Sequence, residues 1–203
     1  MDVPGIMLTV TICSYWIGVG AMIVRVRRHA RRVVGVVPEQ PLERFMWLVW
    51  VPLVAAWIAL PWLALERTQP PWALPEFARA TGWYAGLRLL AALIGVACLA
   101  ATIKCWARMG KDWRMAVTGE PDQALITDGM FSRIRHPIYA FSILLMACTM
   151  VVVPTALMLA FGAVHIALMV IKAYNEERHM LASHGDDYAR YLARTGRFLP
   201  RFR

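Results

Sequence analysis

A chain of 203 residues that is 59% hydrophobic and only 17% charged, with a mean hydropathy of +0.50, is too apolar for an ordinary soluble domain and falls among integral membrane proteins. Its net charge of +9 does not point to nucleic acid, because the basic residues border apolar runs at intervals instead of forming one patch; contact with anionic lipid headgroups accounts for them. The four cysteines show no Cys-x-x-Cys or Cys/His spacing, so the sequence predicts no metal site and reads the thiols as mostly buried and structural.

A membrane-crossing helix needs roughly 20 apolar residues. Residues 5–24 meet that length. Their basic flank follows the apolar run and no small-x-small cleavage pattern comes after, so they read as a retained span, not a signal peptide. The second span covers residues 45–65 and the third 83–103. A fourth, 137–152, is short, and a fifth runs over 155–173. Only Val153-Pro154 separates the last two. A proline cannot supply a helical donor and suits a turn or a first helical position, so these two segments predict a helical hairpin.

The expected fold is therefore an all-α integral membrane protein with about five transmembrane helices, the last two a hairpin, and a cytoplasmic helical tail. Residues 1–103 form an N-terminal part of three spans. Residues 104–203 form a second part made of an inside loop, the hairpin and the tail. In the loop, Asp128-Gly129 marks a turn and residues 130–135 one helical turn feeding Pro137. In the tail, residues 176–184 continue the fifth span, Gly185 stops it, and Asp186-Asp187 start another helix.

Charge orients these spans. Arg25, Arg27, Arg28, Arg31 and Arg32 follow the first span, Lys104, Arg108, Lys111 and Arg114 follow the third, and the tail is also basic. The loop over 66–82 carries only Arg67 and Arg79. Basic loops stay cytoplasmic, so the N-terminus is expected outside and the C-terminus inside.

Several polar residues at membrane depth have plain explanations. Arg88 lies near the outer end of the third span and is expected to snorkel outward. His165, in the middle of the fifth, is expected either to hydrogen-bond across helices or to serve function. The hairpin mouth differs. Lys172 and Glu176 are four apart and share one helix face, which leaves the membrane beside Arg135, His136 and Tyr139. A cation, a carboxylate, an imidazole and a phenol suit a zwitterionic cofactor. The side chains alone leave the reaction open.

The run Leu125-Ile126-Thr127-Asp128-Gly129-Met130-Phe131, followed by Arg135-His136-Pro137-Ile138-Tyr139, resembles L-V-T-x-G-x-Y/F-x-x-x-R-H-P-x-Y. Glu176-Glu177, Gly185, Tyr188, Tyr191 and Arg197-Phe198-Leu199-Pro200 resemble the paired E-E…G-x-x-Y-x-x-Y…R-F-x-P pattern. Together, over about residues 109–200, they resemble the isoprenylcysteine carboxyl methyltransferase family, with its many bacterial members.

That resemblance implies an S-adenosylmethionine-dependent methyltransferase in the bacterial inner membrane, acting on a lipophilic small molecule or lipid-modified acceptor. Its cofactor contacts would be Gln123, Ala124, Leu125, Ile126, Phe131, His136, Pro137, Ile138, Tyr139 and Glu176. Lys172, Glu176 and His136 would be the catalytic set, Lys172 standing where the family usually has an arginine for the acceptor carboxylate. Methyl transfer from a sulfonium is an in-line displacement that relies on positioning and desolvation, and a carboxylate acceptor needs no general base.

The chain departs from the pattern at Phe141, where glycine is frequent, at Val153-Pro154 in place of Asn-Pro, and at Lys172, a point charge in place of a planar fork. Besides a prenylcysteine, this leaves phospholipid amines, other lipophilic acids and small thiols as acceptors. Two further readings stand beside this one. Membrane sterol and steroid reductases share a similar H-P-x-Y and tail layout but bind NADPH, for which Arg135 and Arg178 would be the available cations. A membrane subunit that keeps the fold without catalysis is the other.

Overall fold

The computed structural model describes residues 2–30, 40–80, 82–110, 113–114 and 125–201. Over these the chain is helical: α1 Val3–Ala30, α2 Pro41–Glu66, α3 Glu76–Ala80, α4 Gly82–Met109, α5 Pro137–Val152 and α6 Ala156–Arg194, with a short 3-10 turn at Gly129–Ser132. The described residues contain no strand, and one isolated parallel bridge joins Ile134 to Gly196. Four of the helices, α1, α2, α4 and α6, are long and apolar enough to cross a membrane. The protein is an integral membrane protein.

Local chemistry starts and stops these helices. Asp2 caps α1 by accepting from Gly5 N at 3.1 Å, and Thr155 caps α6 by accepting from Met158 N at 3.2 Å. Pro41 and Pro137 occupy first-turn positions, where a missing N–H costs nothing. The predicted hairpin forms: α5 ends at Val152 and α6 opens four residues later at Ala156. The tail holds the two expected helical stretches, joined end to end across a break. α6 runs through it for 39 residues, broken where Gly185 takes a φ of 49° that side-chain-bearing residues rarely adopt. The expected stop falls at the right residue, as a kink.

The helices close into a ring. α1 packs on α2, α2 on α6, α6 on α5, α5 on α4, and α4 back on α1. Leu8, Ile12, Leu53, Trp57, Leu145, Met146 and Met158 fill its centre with almost no exposure. His165 is fully buried there, against the Trp57 ring at 4.8 Å and with Nε2 3.1 Å from Ser142 Oγ. Of its two expected roles, the cross-helix hydrogen bond is the one present.

Helix α5 has 16 residues, about 24 Å at 1.5 Å per residue, short of a hydrocarbon core of about 30 Å. Its final carbonyls have no partner within the helix itself. Two side chains of α4 supply donors instead: Tyr84 Oη donates to Val151 O at 2.9 Å and Arg88 Nε to Val152 O at 2.9 Å. Arg88 also meets Asp2 Oδ2 at 2.5 Å and is 6% exposed.

The expected outward snorkelling of Arg88 is therefore corrected. The unpaired end of a short neighbouring helix and a nearby carboxylate hold the guanidinium inside better than a stretch to the surface would. Arg88→Met should lower stability by about 2 kcal/mol, through loss of a charged donor to a buried carbonyl. Thermal unfolding in detergent measures this.

Candidate active site

The site grows from the segment that joins α4 to α5. Arg108, in the last turn of α4, grips Asp128 with two hydrogen bonds of 2.7 Å. This sets the start of the 3-10 turn that turns Phe131 inward, and Tyr191 Oη donates to Phe131 O at 2.6 Å. Next the chain runs beside the tail. Arg135 N donates to Gly196 O at 2.8 Å, His136 N to Arg197 O at 3.1 Å, and Gly196 N to Arg133 O at 3.1 Å. Gly196 has no room for a side chain, since a Cβ there would collide with the Leu199 carbonyl. The tail thus holds the Arg-His-Pro segment by its backbone.

Glu177 locks the same clasp through side chains. Arg135 Nε donates to Glu177 Oε1 at 2.8 Å, and Arg197 donates from Nε at 3.0 Å and Nη2 at 2.6 Å. Arg135 also donates to Thr195 O, and Arg197 lies over the Tyr174 ring at 3.5 Å. A carboxylate this buried, with side-chain exposure of 9%, requires such pairing. Sequence reasoning placed Glu177 inside a motif without a task; the structure makes it the anchor of the tail.

Glu176, one residue earlier, points elsewhere. Tyr139 Oη donates to Glu176 Oε1, Lys172 Nζ lies 3.4 Å from the same oxygen, and His136 Nδ1 lies 3.5 Å from Oε2. The expected Lys172–Glu176 pair is present. Lys172 also reaches Glu43 of α2, with Nζ to Oε1 at 3.2 Å. Beside it Asn175 Nδ2 donates to Gln40 Oε1 at 2.8 Å, so two polar contacts tie the start of α2 to α6.

His136 sits between the neighbouring glutamates. Its Nε2 is 3.4 Å from Glu177 Oε1, an ion-pair distance outside hydrogen-bond geometry, and its ring stacks parallel on Tyr139 at 5.4 Å. Burial disfavours its imidazolium, but the flanking carboxylates of Glu176 and Glu177 outweigh burial and raise its pKa above the ordinary 6.5. A raised pKa means the folded state prefers the proton. The stabilisation is complete below pH 6.5 and lost as pH climbs through the raised value. The stability gap between the wild type and His136→Gln should shrink as buffers move from acidic to alkaline, measured by thermal unfolding.

These groups border a partly open cavity of about 210 Å³ within the helix ring. Leu125, Ile126, Phe131, His136, Pro137, Ile138, Tyr139, Lys172 and Glu176 all line it, so the structure brings these expected site residues together. Gln123 and Ala124 lie outside the described residues. Phe141 packs against the hydrophobic core and not in the cavity wall, so the departure from glycine does not narrow this space.

Arg114, Arg135 and His179 add ionisable groups to the remaining wall, and part of it comes from residues that sequence reasoning missed: Tyr15 and Trp16 of α1, Glu43, Trp47 and Trp50 of α2, and Trp106 of α4. Their only signal was an i, i+4, i+7 spacing of Glu43, Trp47 and Trp50 on one face of a span. Nothing in the sequence said what that face would meet.

The sequence model of the isoprenylcysteine carboxyl methyltransferase (ICMT) family matches residues 90–182. Over that segment, a little under half of its length, the chain is similar to the isoprenylcysteine carboxyl methyltransferase family. The match begins inside α4 and contains every expected site residue from Gln123 to Glu176; the tail residues Tyr188, Tyr191 and Arg197 lie beyond it.

Two curated relatives are similar over a comparable stretch. The cobalt-zinc-cadmium resistance protein CzcN of Cupriavidus metallidurans is 29% identical over 119 residues, which is 59% of this chain and 52% of that protein. The nickel-cobalt-cadmium resistance protein NccN of Alcaligenes xylosoxydans xylosoxydans is 29% identical over 112 residues, 55% of this chain and 51% of that protein. The chain spans about half the length of the curated relatives it matches.

Proposed function

We propose that this protein is an S-adenosylmethionine-dependent methyltransferase that methylates a lipophilic acceptor at the cytoplasmic face of a bacterial inner membrane. The observation that carries the reading is the Glu176 cluster: a carboxylate lining the cavity, held by Tyr139, Lys172 and His136, within the segment matched by the family.

The donor set fits such a cofactor. Glu176 is the acceptor for its ammonium or ribose hydroxyls. His136 supplies a hydrogen bond, while Leu125, Ile126, Phe131, Pro137 and Ile138 give apolar contact to the flat base. When bound, the cofactor supplies a methyl group activated on sulfonium. The protein's share is then orientation of the two reactants, to which the apolar wall adds partial exclusion of water.

The wider frame is part of this reading. Basic loops place the N-terminus outside and the C-terminal tail inside, with α5 as a fifth, short span. Residues 1–103 serve as the acceptor-facing part and 104–203 as the cofactor-binding core. The acceptor enters from the bilayer and the cofactor from the cytosol. The resemblance offers the carboxylate of a prenylcysteine-like lipid as acceptor, and other lipid nucleophiles, phospholipid amines included, fit the same layout.

The NADPH-dependent reductase reading loses support. Arg135, one of its two candidate cations, is engaged by Glu177, and Arg178 is exposed away from the cavity wall. Incubating the purified protein and a lipid extract with methyl-labelled S-adenosylmethionine tests the proposal. Label should pass into the organic-soluble fraction; no transfer with any extract, alongside oxidation of NADPH, would sink it.

A further inference from the structure

Lys172 is the group that family resemblance assigns to an acceptor carboxylate. In this structure its ammonium is shared between two carboxylates of the same chain, Glu176 at 3.4 Å and Glu43 at 3.2 Å. Glu43 comes from α2, outside the segment matched by the family, and its residue exposure is 1%. A carboxylate is not buried at a cavity wall for packing reasons, because desolvating it costs several kcal/mol unless it is paired. An apolar side chain would line a lipid pocket better.

The neighbourhood of Glu43 has its own chemistry. Trp47 and Trp50 follow at i+4 and i+7 on the same helix face and also line the cavity. Trp16 of α1 meets Trp50 edge to face at 5.3 Å and joins the same wall. Indole faces beside a carboxylate attract an ammonium group, and they do so here on a wall that also carries Lys172, Arg114 and Arg135.

We propose that Glu43 is a specificity-determining residue that selects a lipophilic amine, and rejects a carboxylate, as the methyl acceptor. This rests on the methyltransferase reading above and narrows it. The acceptor enters as an ammonium held between the Glu43 carboxylate and the indole faces of Trp47 and Trp50. The nearby Lys172 charge and the scarcity of water lower the acceptor's pKa, and it gives one proton to the Glu43 carboxylate. The freed lone pair forms the N–C bond as the bond from the methyl carbon to the sulfonium sulfur of S-adenosylmethionine breaks, sulfur keeping that electron pair. S-adenosylhomocysteine and a methylammonium lipid result, and Glu43 passes its proton to solvent.

A carboxylate acceptor would meet two carboxylates competing for one lysine. With Glu43 neutralised, that competition falls and the preference reverses direction.

The experiment uses the full chain in lipid nanodiscs with dodecylamine and dodecanoate as probes. It measures equilibrium binding of each in the presence of S-adenosylhomocysteine, and methyl transfer to each from S-adenosylmethionine. The wild type should bind and methylate dodecylamine in preference to dodecanoate. Glu43→Gln should shift the amine-to-carboxylate ratio toward carboxylate by about tenfold, the scale of one charge-assisted contact, while its stabilisation by S-adenosylhomocysteine shows that the variant folds. Trp47→Leu, which keeps every charge, should weaken dodecylamine alone.

A wild type that prefers dodecanoate, or that takes neither probe while binding S-adenosylhomocysteine, overturns the amine assignment. So does a Glu43→Gln variant with an unchanged ratio. A wild type that S-adenosylhomocysteine does not stabilise brings down the methyltransferase reading itself, and the acceptor assignment with it.

Discussion

Glu177→Ala should cost about 3–5 kcal/mol of stability, the loss typical when one partner of a buried charge cluster is removed. Two arginines converge on this carboxylate, Arg135 with a side-chain exposure of 10% and Arg197 with 24%. Without Glu177 the Arg135 charge stays buried, with only carbonyl and hydroxyl oxygens of the tail as acceptors. The backbone bridge between Ile134 and Gly196 then has to hold the tail without its lock.

The loss should appear as a lower unfolding temperature and as faster proteolysis of the tail after α6. The isosteric Glu177→Gln keeps shape and loses charge, so it should fall between the wild type and the alanine variant. Equal stability of all three would refute the clasp.

The adjacent substitution should behave differently. Glu176→Ala should cost less stability than Glu177→Ala, since Glu176 lies at the cavity with a side-chain exposure of 22% and Lys172 retains Glu43 as a partner, while Tyr139 and His136 lose one contact each. What it should abolish is cofactor binding. A ligand that binds only the folded state adds about 2.7 kcal/mol at a hundredfold excess over its dissociation constant. That increment with S-adenosylhomocysteine should be present in the wild type and nearly absent in Glu176→Ala. Retained stabilisation would remove Glu176 from the site. On the proposed function the two neighbouring glutamates would divide structure from binding, because successive positions on a helix point about 100° apart.

The sequence made the hairpin and its mouth legible because both depend on local order. Val153-Pro154 between two apolar runs forces two helices to lie side by side. Lys172 and Glu176 at i and i+4 must then share a face next to His136 and Tyr139. Gly185 was legible for a similar reason, being a residue that tolerates the backbone a helix break needs.

The parts that stayed hidden depend on which helix meets which. Arg88 looked like a snorkelling residue because the end of α5, which it caps, is 64 positions away in the chain. Glu43 lies before the expected second span and drew no reading from the sequence, since its partner Lys172 is 129 positions away. The aromatic wall was missed for the same reason: Trp16, Trp50 and Trp106 come from three different helices and meet only around the cavity. Glu177 was visible as half of a pair, but only the returning tail shows that its partners are Arg135 and Arg197.

Thermal unfolding of the detergent-purified wild type with S-adenosylhomocysteine, and separately with NADPH, tests the central claim most directly. Stabilisation by S-adenosylhomocysteine and none by NADPH is the predicted result. Stabilisation by NADPH alone would contradict it and make the cavity a reductase site, and no shift with either ligand would leave a membrane subunit that keeps the fold without this chemistry.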